Sequence, residues 1–162
     1  MEAKAHQAKV VGRDLPISTK QSIEICNMIR GRELQKSKEM LLQTIKLQKA
    51  VPFKRFNQDT GHKRNIGPGR YPQRACKYIY SLLESVEINA QNKGLDTGEL
   101  KINSIIPNKA SAPMHSGRLQ RRKMRRTHIE IIVEEKSKIQ KDTKNVKEKS
   151  KIQNDTKMEK KG

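Results

Sequence analysis

Apolar residues recur along the chain with two different periods, and the switches between those periods mark its elements. Ala75, Tyr78, Ile79, Leu82, Leu83, Val86 and Ala90 fall three or four residues apart. That spacing predicts an amphipathic helix, opened by Tyr71-Pro72 with Pro72 near the first helical position and stopped at Gly94. Leu34, Leu41, Leu42 and Ile45 share one face of a second helix, starting near Glu33. Val51-Pro52 should end it, because proline disfavours helix in the residue before it. Upstream, Ser18-Thr19 offers an N-cap, and Ile25, Cys26, Met28 and Ile29 lead to Gly31, a residue suited to a helix end. The period then changes. Ile129, Ile131, Ile132 and Val133 are β-branched and predict a strand, as do Leu100, Ile102, Ile105 and Ile106, and a short one is expected at residues 8–12. Residues 52–70, with Gly61, Gly67, Pro68 and Gly69, read as a loop, and Leu95-Asp96-Thr97-Gly98 reads as a turn.

Composition changes this picture in one respect: the core must be small. Of 162 residues, 33% are hydrophobic and 3% aromatic, which fits one domain with tails. A free enzyme of this length would ordinarily bury more and build a more aromatic pocket. Lys and Arg number 36 against 17 Asp and Glu, a net charge of +19 that draws the chain toward polyanions. Cys26 and Cys76 fall on or beside apolar helix faces, as reduced core residues would, and no Cys or His pair has zinc-site spacing. No apolar run is long enough for a signal peptide or a membrane span, so no membrane anchor is expected.

The charge is concentrated. Residues 51–75 carry six basic side chains and one acid, and residues 104–129 carry seven and none. Residues 76–103, between them, carry three and four. Beyond Val133 the chain repeats itself, EKSKIQKDTK at 135–144 and EKSKIQNDTK at 148–157. Two copies are too few for a solenoid, and so polar a tail, residues 136–162, is expected to be disordered in isolation.

The kind of base differs as well as the count. Every base beyond Val133 is Lys, whereas Arg118, Arg121, Arg122, Arg125 and Arg126 make up five of the seven bases at 104–129, with Lys109 and Lys123. Arginine grips phosphate with a planar fork, while lysine is a hydrated point charge. The arginine segment therefore reads as a nucleic-acid contact surface. As a strand it would show bases on both faces and need anions on both sides; as a helix it would form one stripe, of the kind that folds on RNA. In the first basic segment, Lys54, Arg55, His62, Lys63, Arg64, Arg70 and Arg74 interleave with Phe53, Phe56 and Tyr71. Its cations suit phosphate, and the Phe pair suits either the edge of the core or a stacked base. No phosphate-cradling loop, nucleophile elbow or metalloprotease motif occurs, and Glu84 and Glu87 read as a solvated helix face. No catalytic residue, metal or cofactor is expected. A DNA-binding architectural module is the alternative, with the first two helices around Gly31 as a helix-turn-helix.

VPFKRFNQDTGHKRN at 51–65, GPGRYPQRACK at 67–77 and HIEIIVEE at 128–135 together resemble the archaeal and eukaryotic branch of the large-subunit ribosomal protein L-twenty-two family (L-seventeen in eukaryotes). The resemblance covers roughly residues 8–135. It implies an α+β fold, three helices packed on a small three-stranded antiparallel sheet, with a long protruding β-hairpin running here from about 101 to 133. It implies an RNA-binding domain over residues 1–135, with the Lys-rich tail outside it. It further implies a structural, cytoplasmic component of the large ribosomal subunit that binds ribosomal RNA beside other ribosomal proteins. The hairpin tip would line the polypeptide exit tunnel and meet the nascent polypeptide. Carried onto this chain, that tip is Ala110, Ser111, Ala112, Pro113, Met114, His115, Ser116 and Gly117. Lys109 and Arg118 to Arg126 would hold the arms in RNA.

Overall fold

The computed structural model describes residues 6–135, and the tail expected to be disordered, 136–162, lies outside the described residues. In chain order the elements are β1 (Gln7–Leu15), α1 (Thr19–Ile29), α2 (Leu34–Ile45), β2 (Val51–Pro52), β3 (His62–Lys63), β4 (Gly67–Arg70), α3 (Gln73–Asn92), β5 (Leu100–Lys109) and β6 (Thr127–Glu135). Among the described residues the fold is α+β, with three α-helices and two antiparallel three-stranded sheets.

The larger sheet has the order β1-β6-β5. Strict alternation along β6 buries Thr127, Ile129, Ile131 and Val133 and turns His128, Glu130, Ile132 and Glu134 outward. The buried face meets Ile25, Cys26 and Ile29 of α1, Leu34 and Leu41 of α2, and Ala75, Ile79, Leu83, Val86 and Ala90 of α3. All ten of these side chains are at most 1% exposed, whereas Leu42 and Tyr78, expected on the same apolar faces, lie at their margins and are 38% and 36% exposed. A Cβ on Gly12 would lie 2.9 Å from Leu82 Cδ1, so glycine permits the close approach of β1 to α3.

Both edges of this sheet are closed by polar groups from the helical layer. Asn89 Nδ2 of α3 and Nζ of Lys93, just after that helix, donate to the carbonyls of Lys9 and Gln7, at 3.1 and 2.8 Å. On the other edge, Gly31 N–H donates to Ile102 O at 3.0 Å, Ile102 N–H to Arg32 O at 2.9 Å, and the Arg30 guanidinium to Ile105 O at 3.0 Å. Strand addition along these stretches is thereby blocked.

Three expectations need correction. The stretch 52–70 is not simply a loop, because β4 pairs with β2 on one side and β3 on the other. These ladders are two residues long and β4 reads Gly-Pro-Gly-Arg, so no alternation exists for a sequence pattern to show. The second helix ends at Ile45, before Val51-Pro52, and Leu47 leaves it with φ +62°. Glu87 is not on a solvated face: it forms a half-buried ion pair with Lys38 of α2 and accepts from Gln35 Nε2 at 2.6 Å, joining α2 to α3.

Cys26 and Cys76 are both buried and free. Burial pushes each thiol up to about 12, so both stay protonated and unreactive at neutral pH. Among the described residues, no helix is long and apolar enough to cross a membrane.

Candidate nucleic-acid interface

The first basic segment is held from beneath. Phe53 is only 3% exposed and belongs to the core, and Arg70 lies over its ring at 5.6 Å from the centroid. Immediately after it, the backbone bends around one carboxylate. Glu24, on α1 and 1% exposed, accepts the N–H groups of Lys54 (3.2 Å), Arg55 (2.8 Å) and Phe56 (2.9 Å). With the backbone tied to the inside, the side chains of Lys54 and Arg55 are left exposed. Phe56 is half-buried, with Lys20 and Arg55 at 5.6 and 5.4 Å from its ring centre. His62, Lys63 and Arg64 are exposed on β3 and just after it, Lys63 lies 5.7 Å from the Tyr71 ring, and Arg74 is exposed in the first turn of α3.

The second basic segment connects β5 to β6. These strands pair antiparallel from Leu100↔Glu135 to Lys109↔Thr127. Beyond Lys109 the arms stay side by side through sparse bonds: Ala110 N–H to Arg126 O (3.2 Å), Met124 N–H to Pro113 O (2.8 Å) and His115 N–H to Arg122 O (2.9 Å). The arginine cluster is therefore neither a helix nor a continuous strand. The chain reverses through a 3-10 turn at Gly117–Leu119, where Gly117 has φ +62°, a conformation that favours glycine. The reversal thus comes later than the tip expected at Ala110–Gly117. Ala110 to His115 lie on the outgoing arm, and Ala110 is buried rather than presented.

A threonine fastens this excursion to the helical layer. Thr127 is fully buried; its hydroxyl donates to Ile17 O at 3.0 Å and lies 2.9 Å from the Thr19 hydroxyl at the start of α1. The two basic segments, far apart in sequence, consequently flank the same helix start. A groove of about 730 Å³ gathers Arg55 and Arg70 from the first, Lys109, Lys123, Arg125 and Arg126 from the second, and Lys20 from α1, around Phe56 and Met124. A second groove, about 560 Å³, sets Arg74 opposite His115, Arg122 and Arg126. Among the described residues, neither groove is lined by a carboxylate.

The convergence does not include every expected site residue. Arg118 and Arg121 line a separate depression at the apex, and Lys54, His62, Lys63 and Arg64 lie outside both grooves. Arg118, Arg121, Arg122, Lys123 and Arg125 are exposed and Arg126 is half-buried. Sequence reasoning missed Lys20, an isolated lysine with no local signal. It also missed Glu24, whose one cue was an acid beside Ile25 and Cys26 on an apolar helix face. No group of metal-ligating side chains occurs among the described residues. The arrangement suits a polyanion, with guanidinium forks and ammonium groups on two sides of a groove and partly apolar floors between them. The helix-turn-helix alternative gains nothing, because α2 spends Leu34, Lys38, Leu41 and Thr44 on packing and its exposed face mixes Lys36 with Glu39.

The chain matches the family described as Ribosomal protein L22p/L17e over residues 10–134. It is 40% identical over 139 residues to the large ribosomal subunit protein uL22 of Ignicoccus hospitalis, covering 79% of this chain and 87% of that one. The uL22 of Nanoarchaeum equitans is 43% identical over 138 residues, 79% of this chain and 78% of its own. That of Archaeoglobus fulgidus is 34% identical over 141 residues, 82% and 91% respectively.

Proposed function

The chain belongs to the ribosomal protein L22p/L17e family, and from that premise we propose how its two basic segments serve the large ribosomal subunit. It is a structural, non-enzymatic component of that subunit and binds ribosomal RNA. The observation that carries the assignment of contacts is the acid-free convergence of both basic segments at the start of α1.

In this reading the RNA-binding residues are Lys54, Arg55, His62, Lys63, Arg64, Arg70 and Arg74 of the first segment. From the second they are Lys109, Arg118, Arg121, Arg122, Lys123, Arg125 and Arg126. The β5–β6 hairpin protrudes into folded RNA, where phosphates on both sides neutralise an apex that carries no acid of its own. Its end lines the polypeptide exit tunnel and meets the nascent polypeptide. Met114, His115, Ser116 and Gly117 border the reversal and are the residues nearest that role, while Ala110 to Pro113 support them from the outgoing arm. Residues 1–135 act as the RNA-binding domain beside neighbouring ribosomal proteins. The Lys-rich 136–162 lies outside that domain and adds positive charge.

Sedimentation of cell extracts tests this directly. The endogenous protein should travel with large subunits in stoichiometric amount and remain there in moderate salt. Recovery mainly in ribosome-free fractions would overturn the assignment.

A further inference from the structure

Glu24 presents a physical puzzle once the face above it is read as an RNA surface. A carboxylate near bound phosphates repels them, and a carboxylate 1% exposed must be compensated for its lost hydration. The usual compensation would be a lysine or arginine, and several stand close by. Glu24 instead takes three consecutive backbone N–H groups, those of Lys54, Arg55 and Phe56. Among the described residues, neither Lys54 nor Arg55 forms an ion pair with a carboxylate. The acid thus orders the basic loop through its backbone and leaves both cations available.

We propose that Glu24 is a positioning residue for RNA binding, a buried anion that holds the Lys54–Phe56 backbone in its binding shape without consuming the loop's positive charge. The inference rests on the ribosomal RNA-binding reading. Its physical content is preorganisation: a loop already fixed does not have to be ordered at the moment of binding. The same bonds set Phe56 at the groove between Lys20 and Arg55.

The sign of one substitution separates this role from plain electrostatics. Glu24→Gln removes a negative charge beneath a phosphate-binding face, so repulsion alone predicts tighter binding. Positioning predicts weaker binding. Oε1 holds the Arg55 and Phe56 amides and Oε2 holds that of Lys54, so the new amide group would oppose the Lys54 N–H donor with another donor. Glu24→Ala releases all three.

The test is filter binding of the full chain to transcribed large-subunit ribosomal RNA across a salt series. Each phosphate contact contributes about 0.7 to 0.9 to the slope of log K against log salt. Glu24→Gln should weaken binding several-fold and flatten the slope by about one contact, and Glu24→Ala by about two. Glu24→Asp should restore part of the loss. A merely structural role would lower the folded fraction and leave the slope of the folded protein unchanged; folded fraction is followed by circular dichroism. Tighter binding by Glu24→Gln, or unchanged slopes in both variants, would overturn the inference alone. Absence of binding by the unaltered chain would overturn the underlying reading as well.

Discussion

The two basic segments reach the same helix start by opposite means. The first, 53–74, is built into the fold: Phe53 enters the core, Glu24 ties down three successive amides, and a small sheet braces 62–70. The second, 110–126, is fastened at its base by buried Thr127 and beyond that by a few backbone bonds. Its arginines are exposed or half-buried, and its large apolar side chains Met114 and Leu119 are 54% and 46% exposed. One segment has its shape before RNA arrives. The other holds its charges at a self-repelling density, which the proposed contact with RNA would relieve. A single fold can thus combine a preorganised docking face with an arm whose order depends on what surrounds it.

Substitutions can break this contrast, and the largest effect should come from the arm. Replacing Arg121, Arg122, Arg125 and Arg126 together with Ala should flatten the salt slope of RNA binding by about three to four and abolish incorporation into large subunits. Thermal stability should change little, since three of the four are exposed and such surface changes usually cost within about 0.5 kcal/mol each, with half-buried Arg126 contributing most of any loss. Normal subunit assembly with this variant would show that the arm is not the main anchor. Leu83→Ala, fully buried beneath the sheet, should do the reverse. It should cost about 2 to 5 kcal/mol in denaturant unfolding and leave the salt slope of the remaining folded protein intact. Lys54→Ala with Arg55→Ala should flatten that slope by about two at most, with no change in melting temperature.

The smallest effect concerns the cysteines, and it sharpens the contrast between core and surface. Burial raises both thiols from 9.0 to about 12. The protonated form is therefore favoured by folding, so their contribution to stability is complete below pH 9 and is lost as pH rises toward 12. At pH 8, iodoacetamide should label the native chain far more slowly than the urea-unfolded chain. Equal rates would show that the helical layer opens readily around Cys26 and Cys76.

Much of the packed layer is legible in the sequence because its residues obey a period. Alternation along Ile129, Ile131 and Val133 and the helical spacing from Ala75 to Ala90 both follow from burying one face. The small sheet is not legible, because two-residue ladders through Gly67-Pro68-Gly69 have no period to read. The cations of both basic segments are visible as composition, but their meeting at α1 is a tertiary fact made by Thr127 and Glu24. Neither of those residues stands out in its own neighbourhood. The late reversal at Gly117–Leu119 was hidden for a related reason: a basic, irregular arm offers no apolar register that would say where it turns.

Hydrogen exchange of the chain, free and within the large subunit, tests the contrast most directly. In the free chain, the amides of Lys54, Arg55 and Phe56 should exchange slowly and those of 111–125 fast. Incorporation should protect 111–125 strongly and change 54–56 little. Protection of 111–125 already in the free chain, or its continued fast exchange inside the subunit, would contradict the account.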